Sequence, residues 1–78
     1  MVEWYYRDLQ KWITDGCDKN VANQVITLNI PYCELKNIPK EIRYLTQLQI
    51  LECSKNEIKE IPKEIRYIDK ITKILLLA

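Results

Sequence analysis

Ile38-Pro39-Lys40-Glu41-Ile42-Arg43-Tyr44 recurs without change as Ile61-Pro62-Lys63-Glu64-Ile65-Arg66-Tyr67, so the second copy follows the first at an offset of 23. Self-similarity at a fixed spacing marks repeat architectures, and the same offset orders the chain on either side of this stretch. It aligns Val25 with Leu48 and Ile71, Leu28 with Leu51 and Ile74, and Ile30 with Cys53 and Leu76. It also aligns Leu35 with Ile58 and Leu45 with Ile68. Of the 20 Ile, Leu and Val residues from position 25 onward, 16 fall on this template and only Ile26, Ile50, Leu75 and Leu77 fall off it, so the periodicity is not accidental. Leu28-x-Ile30 and Leu51-x-Cys53 alternate with the period of a strand, whereas the Ile-Pro-x-x-Ile-x-x segment has helical or 3₁₀ spacing. Pro39 and Pro62 suit the first position of such a turn, where a missing N–H costs nothing.

Leu48-x-x-Leu51-x-Cys53-x-x-Asn56-x-Ile58-x-x-Ile61-Pro62-x-x-Ile65-x-x-Ile68 resembles a leucine-rich repeat of the 23-residue, Ile-Pro-containing class. The resemblance spans residues 25–78, two full repeats and one partial. It implies an α/β repeat solenoid in which strands near 25–30, 48–53 and 71–76 stack in parallel on a concave side and short 3₁₀ or helical turns line the convex side. It further implies that Asn56 turns inward to bond backbone groups leaving the strand. Two positions depart from the pattern: Cys33 holds the Asn position of the first repeat, and Cys53 replaces the third strand aliphatic of the second.

Residues 1–24 lie outside the repeat and are expected to form a helical cap with a connecting loop. Tyr5, Leu9 and Trp12 stand at i, i+4 and i+7 with Ile13 beside Trp12, an amphipathic pattern that predicts a helix within residues 2–15. Gly16, the only glycine, follows Asp15 where a helix end favours left-handed backbone, placing the last helical residue near Thr14. Terminal units of repeat proteins cover the end of the core, which favours the cap over an exposed binding motif of Trp4, Tyr5 and Trp12.

The 78-residue chain has room for one small domain, which buries roughly 60–65% of the surface its unfolded form exposes. A hydrophobic share of 47% and a charged share of 29% suit a folded, soluble domain. Twelve Ile and nine Leu with no Phe and one Gly point to layered aliphatic packing and away from a β-sandwich with glycine-rich turns. A net charge of +1 argues against nucleic acid or a membrane surface as partner, and the absence of His excludes histidine-based catalysis and most zinc sites. The N-terminus is acidic and aromatic where a secretory signal is basic then apolar. The longest apolar run has five residues, 74–78, against the roughly 20 of a membrane span. Cys17, Cys33 and Cys53 contain no C-x-x-C pair, and their odd number predicts free thiols in a reducing, cytoplasmic setting.

No catalytic, cofactor or metal site is expected. Cys17 has no neighbouring base, and Cys33 and Cys53 read as small core hydrophobes. Glu41 and Glu64 interrupt the Lys40–Lys63 and Arg43–Arg66 stripes, leaving a mixed, solvated surface. What remains is the outward face of the strands: Thr27, Asn29, Pro31 and Tyr32, then Ile50, Glu52, Ser54 and Lys55, then Lys73, Leu75 and Leu77. The resemblance implies a non-enzymatic protein-protein interaction module, with Thr27, Asn29, Tyr32, Ile50, Glu52, Lys55, Lys73, Leu75 and Leu77 as the binding residues. Three short strands make a face on the order of 200 Å², well below the about 800 Å² per partner of a stable interface. If the chain is complete, Ile74 and Leu76 lack a covering layer, and a homodimer through the C-terminal strand is expected to bury Leu75, Leu77 and the open edge. The alternative function is a small structural self-associating unit or a vestigial fragment of a longer repeat protein.

Overall fold

The computed structural model describes residues 2–76. Four short parallel strands, β1 (Val2–Tyr5), β2 (Val25–Asn29), β3 (Ile50–Glu52) and β4 (Lys73–Leu75), form one sheet in sequence order. Two helices, α1 (Tyr6–Thr14) and α2 (Lys19–Ala22), lie between β1 and β2. A 3₁₀ segment follows β2 at Lys40–Tyr44 and another follows β3 at Lys63–Tyr67. The arrangement is a small α/β domain.

The register carries the sequence offset directly. Thr27, Leu28 and Asn29 pair with Ile50, Leu51 and Glu52, which pair in turn with Lys73, Ile74 and Leu75, and each step equals the offset between the two Ile-Pro segments. Leu28 and Leu51 are fully buried and belong to one core with Val25, Ile30, Ile38, Ile42, Leu45 and Leu48. Aliphatic side chains suit this layering because parallel neighbours place like residues at the same height, where branched carbons interdigitate. Pro39 and Pro62 precede the 3₁₀ segments, and i→i+3 bonds follow at once, Ile42 N–H to Pro39 C=O at 3.1 Å and Ile65 N–H to Pro62 C=O at 3.1 Å.

The N-terminal helix is shorter than the pattern predicts. Residues 2–5 are a strand, with Trp4 opposite Leu28 and Tyr5 opposite Asn29. Val-Glu-Trp-Tyr alternates half-buried, exposed, buried and exposed, which is strand periodicity in residues of high β-propensity. Tyr5 therefore does not join the apolar stripe; it is 56% exposed, and Trp4 enters the core in its place. The stripe of α1 is Leu9 and Trp12, flanked by the half-buried Tyr6 and Ile13.

α1 ends as expected, after Thr14. The Cys17 N–H reaches Trp12 C=O at 2.9 Å and the Gly16 N–H reaches Ile13 C=O at 3.2 Å, the paired bonds of a Schellman termination. Gly16 sits at φ +104°, in the left-handed region this geometry requires. Asp8 accepts a hydrogen bond from Tyr5 N–H at 2.9 Å at the other end, and Asp18 caps α2 by accepting from Asn20 N–H at 2.8 Å. Trp12 clasps the layer: its ring lies 5.6 Å from Trp4 and 6.4 Å edge-on from Tyr44, and its indole N–H donates to Asp18 C=O at 2.9 Å. Trp4 of β1 and Trp12 of α1 thus pack together in the core that holds Leu28. Among the described residues no helix is long and apolar enough to cross a membrane.

Leu51 lies between Leu28 and Ile74 at the middle of the sheet. Leu51→Ala is expected to cost about 2–5 kcal/mol, the range for truncating a buried leucine. Urea denaturation measures it, and a loss below about 0.5 kcal/mol is incompatible with this register.

Candidate interaction surface

Alternation along each strand turns one row of residues away from the core. The first row runs Glu3, Thr27, Ile50, Lys73 across the sheet and the second runs Tyr5, Asn29, Glu52, Leu75. Of the residues expected on this face, Thr27, Asn29, Ile50, Glu52, Lys73 and Leu75 occupy it. Leu77 lies outside the described residues. Ser54, also expected outward, is buried, and its N–H donates to Glu52 Oε1 at 2.8 Å. Glu3 and Tyr5 are additions that the helical reading of residues 2–15 concealed, although the alternation of Val2, Glu3, Trp4 and Tyr5 signals them.

With β1 included the face is four strands wide, on the order of 250 Å². Its charges are graded, with Glu3 on one edge strand, Glu52 towards the middle and Lys73 on the other edge. Asn29 Nδ2 donates to Glu3 Oε2 at 3.1 Å, tying the first two strands together on the outward side.

Tyr32 and Lys55 stand just past the C-terminal ends of β2 and β3, again separated by the repeat offset. Both hold left-handed backbone, at φ 55° and 57°, as does Glu34 at 56°. That conformation costs a residue with a Cβ roughly 1–2 kcal/mol, so something must hold it. The holder is Asn56. Its Oδ1 accepts from Cys33 N–H at 2.8 Å and from Leu35 N–H at 3.1 Å, the residues on either side of Glu34. Its Nδ2 donates to Ile30 C=O at 2.8 Å, Cys53 C=O at 3.1 Å and Ser54 C=O at 3.2 Å. One half-buried amide therefore serves backbone groups from both turns, and Tyr32 is left 75% exposed at the margin of the face.

The thiols are held in their protonated form. Burial raises the pKa of Cys17, with a further contribution from the Glu41 charge, and burial alone raises that of Cys33. Cys53 is pushed up to about 11 by burial and then by Glu52. Its Sγ contacts Leu75 C=O at 3.2 Å. The thiolate is the nucleophile, so each of these environments opposes thiol chemistry at neutral pH.

No protein-family model matches the chain, and comparisons with curated proteins and with solved structures find no significant match.

Asn56→Ala would leave two N–H and three C=O groups without their shared partner and is expected to destabilise the fold by about 2–4 kcal/mol. Asn56→Asp keeps the acceptor but sets a carboxylate against three carbonyls, so it should restore only part of the loss; calorimetry separates the two. The raised thiol pKa values predict slow alkylation by iodoacetamide at pH 8, slowest at Cys53, whose thiolate fraction grows only as pH rises towards 11. Peptide mapping at intervals reads the order, and Cys53 reacting as fast as in urea-unfolded protein would contradict its placement.

Proposed function

We propose that this chain is a non-enzymatic protein-interaction module of the leucine-rich repeat type, holding another polypeptide across the outward face of its sheet. Three features support the family reading: a parallel register that steps by the sequence offset, 3₁₀ turns that follow Pro39 and Pro62, and an inward asparagine at 56 that ties the turn after β2 to the turn after β3. The repeat solenoid is the architecture these features favour.

The observation that carries the functional reading is Tyr32, a large aromatic three-quarters exposed on backbone held left-handed by a hydrogen-bonded turn. An exposed tyrosine on a rigid support offers wide contact area at little cost in conformational entropy, the quality that makes tyrosine a recurrent interface anchor. Tyr5, Ile50 and Leu75 add apolar surface, while Glu3, Glu52, Lys55 and Lys73 supply charges of both signs. The sheet face alone is too small for a stable complex, so the contact takes in the turns bearing Tyr32 and Lys55. The raised pKa of each thiol works against thiol chemistry, which accords with a binding role.

A binder selected from a displayed library against the 78-residue chain tests this reading. Tyr32→Ser combined with Ile50→Lys is expected to weaken such binders by at least about 2 kcal/mol, roughly thirtyfold in Kd, with circular dichroism unchanged. The exposed convex variant Lys40→Ala should leave affinity intact. Binders that discriminate Lys40→Ala and ignore the face variant would place the binding surface elsewhere.

A further inference from the structure

The identical Lys-Glu-Ile-Arg-Tyr segments at 40–44 and 63–67 are both 3₁₀ turns and pack side by side, which brings their cations together. Arg43 of the first segment lines a surface depression of about 370 Å³ with Lys63, Glu64, Arg66 and Tyr67 of the second. Among the described residues the one salt bridge joins Lys11 to Asp15, so neither guanidinium nor the Lys63 ammonium has a carboxylate at ion-pair distance, Glu64 included. Three cations against one carboxylate leave a surplus of two positive charges in one concavity.

Arg43 is positioned before any ligand arrives. Its Nη2 donates to Tyr44 Oη at 2.9 Å, and its Cζ lies 4.9 Å from the centre of the Tyr44 ring. Tyr44 is in turn packed edge-on to the buried Trp12 at 6.4 Å. A guanidinium carries five N–H donors in a planar fork, and the bond to Tyr44 uses one of them.

We propose that this depression binds a phosphomonoester dianion, with the Arg43 and Arg66 guanidiniums and the Lys63 ammonium as its donors. A phosphomonoester carries about −1.5 to −2 charges at pH 7, which the surplus of two matches, whereas a phosphodiester brings about one. Its three terminal oxygens give each cation an acceptor. Holding Arg43 on Tyr44 lowers the ordering cost of binding, and the Tyr67 ring beside the cations offers a face to the group that carries the phosphate. Glu41 and Glu64 alternate with the cations along both segments, which confines the favourable field to a single anion and disfavours a tract of phosphates. The site is independent of the binding role proposed for Tyr32.

Titration of the isotope-labelled 78-residue chain with inorganic phosphate, followed by amide NMR, is expected to shift residues 40–44 and 63–67 with a Kd on the order of 1–10 mM. Arg66→Gln is expected to weaken binding at least about fivefold, and Arg43→Gln with Arg66→Gln at least about twentyfold, with circular dichroism of the single variant unchanged. Glu64→Gln should tighten binding about twofold, and Lys36→Gln, which removes a charge from an exposed position outside the depression, should change Kd by less than about twofold. A phosphotyrosine peptide that binds at least about tenfold more tightly than phosphate, where its unphosphorylated form does not bind, supports a modified polypeptide as the source; a smaller gain supports a small phosphorylated ligand. No shift up to about 50 mM phosphate, shifts confined to other residues, or Lys36→Gln weakening binding as much as Arg66→Gln would overturn the proposal. A single-stranded DNA oligonucleotide that binds more tightly than the phosphotyrosine peptide would overturn it in favour of a phosphodiester tract.

Discussion

Leu51 is buried at the middle of the sheet with Leu28 and Ile74 at its own height on either side, and this parallel register holds because the chain spends the same number of residues between one paired position and the next. That constraint fixes the repeat spacing and propagates outward. The 3₁₀ segments must begin at corresponding positions, so prolines stand at 39 and 62. Side chains one offset apart also come to lie beside one another, and Thr46 Oγ1 bonds Asn23 Oδ1 at 3.0 Å and Lys70 Nζ bonds Gln47 Oε1 at 2.6 Å. Asn56 ties the turn after β2 to the turn after β3 with five bonds, a polar counterpart to the aliphatic packing.

The sheet has two edge strands, and they are packed differently. At the first, a strand and a helix fold back on each other without an intervening loop and deliver two tryptophans to the same spot. Tryptophan suits the task because one side chain covers the area of two aliphatics and its N–H can still find a partner, here the Asp18 carbonyl. At the other, β4, Ile74 is 37% exposed and Ile71 and Leu76 are half-buried.

The outward face shows how a small sheet can present chemistry without a cavity. Its strand residues are short or partly engaged, as Asn29 is with Glu3 and Glu52 with the Ser54 N–H. The more prominent groups stand on the turns, where left-handed backbone lifts Tyr32 clear of its neighbours. Rigidity and exposure coincide there because the bonds holding the turn come from Asn56, behind the tyrosine, and leave its ring uncommitted.

The three later strands, the 3₁₀ turns and the register between them were legible from the sequence because they follow local periodicity: alternation for strands, three- and four-residue spacing after proline for the turns, and an offset that sets the register. The buried identities of Leu28, Leu51 and Cys53 and the end of α1 at Thr14 come from the same rules. The first five residues were not legible in this way. Tyr5, Leu9 and Trp12 satisfy a helical period while Val2 to Tyr5 satisfy a strand period, and local pattern cannot choose between them. The choice falls to tertiary structure, since the free edge of β2 offers backbone hydrogen bonds and an exposed Leu28 that only an extended segment can cover. The same decision brought Glu3 and Tyr5 onto the outward face, while Ser54 lies past the end of β3, where strand alternation no longer sets a side chain's direction and only the packed structure shows it buried.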